Sequence, residues 1–298
     1  MQPVNTDQHR AQLLLPQPTL SRLIFMAVER DTRGHHFSDT QRFNYYPASP
    51  FPTISWIFEG QLHMVKSVDA NQAPELSEPL PKIIFAGPHT HPSASWSPAS
   101  VHALTVSFYP EILGQMLNIP MASYVNQICP IESIAHSEWM SVFNKVLKTS
   151  AAPHFEPFDY LQNTLMGKLA HTQNINATQP NIRHWLKNIL TQASFSRTGY
   201  SLRQIQRRIK HWTGQNHRDL QLYARTELTF QQLSQTPTQT PTDWSKLSLD
   251  SGFADQSHMG RQIRRVTGYS PHRLEQLINV EESFWLYRLL EQYHRERV

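Results

Sequence analysis

One block of sequence occurs twice in this chain, 54 positions apart, and no other feature restricts the fold as much. The copies are SLRQIQRRIKHWTG (201–214) and DQSHMGRQIRRVTG (255–268). The shift lays Ser201 on Asp255, Ile205 on Met259, Arg207 on Arg261, Ile209 on Ile263, Lys210 on Arg264 and Thr213-Gly214 on Thr267-Gly268. Each copy therefore holds a residue able to cap a helix, two apolar residues four apart, an arginine on the far side and a Thr-Gly stop. Chance rarely repeats a supersecondary unit, so this block is a structural unit used twice.

At about 100° per residue, Met259, Ile263 and Val266 share one narrow helix face while Ser257, Arg261, Arg264 and Arg265 share the other. In the first copy Leu202, Ile205, Ile209 and Trp212 form the expected buried face, opposite Arg203, Arg207 and Lys210. Ser201 with Gln204 makes a capping-box pattern. Upstream of the second copy, Asp243 caps a short helix with Trp244 and Leu247 inward. Gly252 can end that helix because glycine tolerates a left-handed backbone, and Phe253 follows. Upstream of the first copy, Ile182, Trp185, Leu186, Ile189 and Leu190 mark a support helix, then the turn SFSRTGY (194–200). Helix, turn and basic helix make the helix-turn-helix pattern, whose second helix enters the DNA major groove.

The segment GFADQSHMGRQIRRVTGYSPHRL (252–274) resembles the signature of the AraC/XylS family of bacterial transcription regulators, and SLRQIQRRIKHWTGQ (201–215) resembles that family's first helix-turn-helix. The likeness spans residues 181–280. It implies two helix-turn-helix units joined by a helix, here expected over 218–235, preceded by a domain that senses an effector or dimerises. By motif position Arg203, Gln206 and Arg207, and Gln256, Ser257, His258 and Arg261, match the family's base-reading residues. An arginine fork can bind guanine O6 and N7 together, and glutamine can do the same for adenine. Arg208 and Lys210 are expected at phosphates, which position without reading sequence, and Arg264 and Arg265 complete the DNA-facing set. The sequence departs from the family pattern at Met259 (usually aromatic), at Ser248 (usually alanine) and in the longer, more polar turn 194–200. Gly260 inside the second recognition helix should cost about 1 kcal/mol relative to alanine, making the second unit the looser reader. The implied partners are double-stranded promoter DNA, RNA polymerase for an activator, a small-molecule effector in the N-terminal domain and a second copy in a homodimer. No cofactor is implied.

Charge is distributed accordingly. Residues 181–298 hold 17 Lys and Arg against 10 Asp and Glu, whereas residues 1–180 hold 10 against 13. A basic excess concentrated on two predicted recognition helices points to a polyanionic partner. The polar run TQNINATQP (172–180) has little to bury, so the expected division is a sensing or dimerisation domain at 1–172, a linker at 173–180 and the DNA-binding domain at 181–298. No long apolar run suggests a signal or membrane segment. The single cysteine, Cys129, excludes an internal disulfide framework and suits a reducing cytoplasm.

The first 19 residues, polar and with Pro3, Pro16 and Pro18, read as a mostly irregular lead-in. Short β-rich runs at 23–29, 53–59, 61–66, 82–86 and 101–109 predict an antiparallel barrel or sandwich, with Glu59-Gly60 as a hairpin corner. The family resemblance favours a cupin-like version. Helical spacing follows at 111–117, 137–148 and 158–171; the last two could pack within the domain or between copies. The expected fold class is α+β, an N-terminal antiparallel β domain with helices followed by an all-α domain; a helix after Pro271 and another over 284–293 close it.

Two other readings concern the β region. Trp56, Phe58, Phe85, Trp96 and Phe108 could line an effector pocket, although core is the preferred role. His35-His36 and His89-Thr90-His91, with His63 and His102 nearby in sequence, could ligate a metal. His89 and His91 lie in a proline-flanked loop without an acidic ligand at motif spacing, which favours structural roles. No nucleophile elbow, phosphate loop or zinc motif occurs. The alternatives to a sequence-specific regulator are a cupin-type metal enzyme using His89 and His91, and a non-specific architectural binder.

Overall fold

The structure is a computed structural model that describes residues 11–67, 74–149, 156–169, 181–195, 201–235 and 242–296. The expected linker at 173–180, the tip of the first turn and the Thr/Pro-rich loop near 236–241 lie outside these residues.

Among the described residues, ten strands form two antiparallel sheets. One holds β1 (Ala11–Leu14), β2 (Ile24–Asp31), β9 (His102–Phe108), β4 (Thr53–Glu59), β7 (Ile83–Ala86) and β10 (Ile128–Pro130), in that spatial order; the other holds β3 (Phe43–Tyr46), β8 (Ser93–Trp96), β5 (His63–Ser67) and β6 (Glu75–Pro79). Side chains on a strand alternate between faces, and the larger sheet uses this to separate two environments. Ile54 and Trp56 on β4, Phe85 on β7 and Leu104, Val106 and Phe108 on β9 point into a core completed by α1 (Pro110–Leu117), α2 (Ser137–Thr149) and α3 (Pro157–Leu169). Val142, Phe143, Leu161 and Leu165 of α2 and α3 are sealed in that core, so both helices pack within their own domain. Trp56 also donates its indole N–H to the Phe143 carbonyl at 3.0 Å.

The alternate residues on the same strands are short or hydroxylated: Thr53 and Ser55 on β4, Ala103, Thr105 and Ser107 on β9. They face the smaller sheet across a cavity of about 330 Å³. Ser55 and Thr105, cross-strand partners, hydrogen-bond to each other at 2.9 Å. Small side chains where a barrel interior would need large ones leave that space open.

Several sequence expectations change here. Within the lead-in, residues 11–14 form a strand, and β1 pairs with β2 from Ala11↔Arg30 to Leu14↔Ala27. Glu59-Gly60 is a corner between sheets, because β4 pairs with β7 and β9 and not with β5. Gly60 has φ +79°, and an added Cβ would sit 2.3 Å from the Ser100 carbonyl, so glycine is required. The five aromatic candidates do not line the cavity; Trp56, Phe85 and Phe108 are fully buried on the opposite face of the sheet.

The remaining helices are α4 (Ile182–Phe195), α5 (Leu202–Thr213), α6 (His217–Gln235), α7 (Trp244–Asp250), α8 (Gln256–Thr267), α9 (Pro271–Val280) and α10 (Trp285–Arg295). Their core is continuous with the β region: Phe25, Phe51 and Tyr109 pack with Trp185, Ile189, Ile209, Leu220 and Ile263. Phe25 and Phe51 stack at 4.0 Å, and Phe51 lies 5.0 Å from Trp185. A second junction joins β2 and β3 to the C-terminal helices. Arg30 pairs with Glu282 at 2.8 Å, both nearly buried, and Trp285 donates to Asn44 Oδ1 at 2.8 Å. No described helix is long and apolar enough to cross a membrane.

Candidate nucleic-acid interface

The duplicated block folds the same way twice. Ser201 Oγ accepts the Gln204 N–H, with the reciprocal Gln204 contact completing the capping box, and Asp255 accepts the His258 N–H at 2.6 Å. Both recognition helices run 12 residues and end on a left-handed glycine, Gly214 at φ 76° and Gly268 at φ 84°. The stop itself is duplicated. Thr213 Oγ1 donates to the Ile209 carbonyl (2.8 Å), lies 3.1 Å from the Gln215 carbonyl and accepts the Gln215 N–H (3.2 Å); Thr267 makes the same set with Ile263 (2.9 Å) and Tyr269 (3.0 and 3.2 Å). One hydroxyl thus closes each helix and fixes the exit of the chain, which is why a Thr-Gly pair recurs.

Ile209, Met259 and Ile263 are buried, as are Leu247 and Phe253, while Ile205 is partly covered. Gly252, at φ +80°, forms the turn between α7 and α8. Leu202 is the exception: it is 77% exposed. It occupies the first position of α5, ahead of the turn that meets α4, so the helical projection placed it on the right face but beyond the end of the packed surface.

On the outer faces Arg203, Gln206, Arg207 and Lys210 are exposed along α5, and Gln256, Ser257, Arg261 and Arg264 along α8. Three other candidates have intramolecular duties. Arg208 turns inward and donates to the Ala193 carbonyl at 2.6 Å, tying α5 to the end of α4 rather than standing ready for a phosphate. Arg265 pairs with Asp219 of α6 at 2.8 Å while keeping half its surface open. His258 is partly buried; its Nδ1 accepts the Ala254 N–H at 3.3 Å and its ring meets Phe253 edge-on at 5.7 Å. Sequence reasoning missed Arg225 of α6, which donates to the Gly252 carbonyl at 3.3 Å and lies over the Phe253 ring at 5.6 Å, holding the second turn against the connecting helix. Its sequence signal is weak, a basic residue between Leu222 and Leu228 at helical spacing on the connecting helix.

The histidines do not converge. His89 Nδ1–H donates to the Gly87 carbonyl at 2.6 Å and burial pushes its pKa down, whereas His91 Nδ1 engages Thr90 Oγ1 at 2.6 Å. His102 lies elsewhere, against Glu29 at 2.7 Å. Among the described residues no three His, Cys, Asp or Glu side chains form a metal-holding group.

Two like helix-turn-helix units on one connecting helix, with basic outer faces, define a DNA-binding protein. Residues 195–276 match the family described as a helix-turn-helix domain. The matched stretch takes in both recognition helices, α5 and α8, and the connecting helix α6 between them. Similar solved structures include a singly substituted apo form of ToxT from Vibrio cholerae, 13% identical over 86% of this chain and 97% of that one, with a TM-score of 0.37. An unsaturated fatty acid-bound wild-type ToxT from the same organism is 14% identical over 80% and 94%, with a TM-score of 0.32. The AraC-like transcriptional activator CuxR is 12% identical over 95% and 91%, with a TM-score of 0.27. Overall superpositions this loose carry no functional argument. No curated protein matches the chain.

Proposed function

We propose that this protein is a sequence-specific, cytoplasmic transcription regulator, not an enzyme, whose DNA binding is controlled by a small molecule held in the β domain. The observation that carries the reading is the pairing of two helices closed by the same Thr-Gly stop, with exposed arginines at equivalent positions, Arg207 and Arg261. Arg203, Gln206, Arg207, Gln256, Ser257 and Arg261 read bases; Lys210, Arg264 and the open edge of Arg265 meet phosphates; His258 offers Nε2. The division into 1–172, 173–180 and 181–298 is part of this proposal, as are contact with RNA polymerase and homodimer formation. Effector control draws support from the cavity, whose volume lies at the lower end for ligand sites. Its wall includes Tyr223, Phe230 and Leu290 of the DNA-binding half as well as the sheets.

The test is binding to duplexes selected from a random pool by the full-length protein. Arg207→Ala should cost about 1–3 kcal/mol on the selected site and relax base choice at one position. A loss of the same size on random DNA would mean that Arg207 meets only phosphate, and the architectural reading would replace this one.

A further inference from the structure

Both recognition helices are gripped by one feature of the β domain. The loops at 47–52 and 87–92 are bridged to each other, with Ser49 N–H donating to the His89 carbonyl at 3.0 Å and His89 N–H to the Ser49 carbonyl at 2.9 Å. From this pair, Ala48 N–H donates to the Val266 carbonyl at 2.7 Å. That carbonyl belongs to the last turn of α8, where it has no partner within the helix. The Ser49 carbonyl accepts from Gln215 Nε2, just past α5, at 3.4 Å, and the His89 carbonyl accepts from the Tyr223 hydroxyl of α6 at 3.1 Å. Pro92 packs against the glycine that ends α8, where an added Cβ would lie 3.4 Å from it. The end of α5 is seated as closely, since a Cβ on Gly214 would come 2.7 Å from Val125 Cγ2. One bridged loop pair thus touches the end of each recognition helix and the helix between them, and Ala48, Ser49 and His89 also form part of the cavity wall.

We infer that the bridged loops at 47–52 and 87–92 are a spacing clamp, through which the β domain sets the separation and angle of the two recognition helices and so determines which spacing between base blocks the protein accepts. Two recognition helices bind one duplex well only when their separation matches the helical repeat of DNA. Gln215 and Tyr223 are then specificity-determining positioning residues, although neither faces DNA. A ligand in the cavity would act on both units at once by shifting this shared rim. The inference rests on the reading of α5 and α8 as the DNA-contacting helices.

The experiment places spin labels on α5 and α8 of the full-length chain (His211→Cys and Arg264→Cys, with Cys129→Ser) and measures their distance distribution by pulsed electron resonance. The parent should give one narrow distribution, and Gln215→Ala with Tyr223→Phe should broaden it. On selected duplexes, using unlabelled protein, the same double variant should lose about tenfold in its discrimination against a one-base-pair insertion between the contacted blocks. It should lose little affinity for either block alone. Should the double variant melt, Tyr223→Phe alone, which removes one oxygen, carries both measurements. An unchanged distribution together with unchanged spacing preference overturns the clamp. Failure of the parent to select any DNA sequence overturns the proposed function instead, and the distance measurement still decides the clamp.

Discussion

Glu111 shows how much one side chain can hold at the junction of the two halves. Its carboxylate receives the Trp185 indole N–H at 3.0 and 3.2 Å, and burial raises its pKa to about 7. The folded state therefore keeps the proton after the unfolded chain has released it. Stability tied to this group is full below the ordinary carboxylate range near 4.5 and is lost as pH rises to about 7. A displacement of that size corresponds to on the order of 3 kcal/mol, reduced by whatever solvent reaches the partly exposed stem. Glu111→Gln keeps an acceptor for Trp185 and removes the titration. Denaturant unfolding at pH 5 and pH 8 should show the variant gaining on the parent at the higher pH. An equal difference at both values would mean that Glu111 does not titrate across this window. Nothing in the sequence marked this residue, because its environment is made by Trp185, 74 positions away.

At the scale of elements, what could be read from the sequence was what is locally determined. The caps Ser201, Asp243 and Asp255, the stops at Gly214 and Gly268, and strand β4 were all visible because a few adjacent residues specify them. Strands β3, β6, β8 and β10 were not, since FNYY, ELSEP, SASW and ICP have little period of their own and owe their form to pairing partners. The cavity was legible in principle: HALTVSF of β9 alternates larger residues with small ones, and the small face is the one that lines the space. Gly260 allows a direct test of helix α8. A Cβ there meets nothing within 4 Å, so Gly260→Ala should raise stability by about 1 kcal/mol. By contrast Ile263→Ala, at a fully buried position, should cost about 2–5 kcal/mol through the cavity it leaves. Thermal melts of both variants decide the matter. A destabilised Gly260→Ala would show that the glycine serves close approach to another surface, and an Ile263→Ala that melts with the parent would put the packed face elsewhere.

For the whole molecule the decisive fact is that the apolar core does not respect the division suggested by the sequence motifs. Phe25, Phe51 and Tyr109 from the β region share one cluster with Trp185, Ile189 and Leu220. The Arg30–Glu282 pair and the Trp285–Asn44 hydrogen bond fasten the far end. A charge pair taken out of water is costly to break singly, because the surviving partner stays buried without its counter-charge. Unfolding either half would expose the shared aromatic face of the other and open that pair. The two halves should therefore lose structure together, giving one calorimetric transition whose enthalpy agrees with the van't Hoff value. Trp185→Ala removes the indole that both Phe51 and Glu111 contact and should cost about 3–5 kcal/mol. Because the loss falls at the junction, it should also separate the single transition into two, the helical half melting first. Two resolved transitions in the parent chain would show that the shared core is too weak to couple the halves. The β domain could then transmit to the DNA-reading helices only what the loop contacts carry.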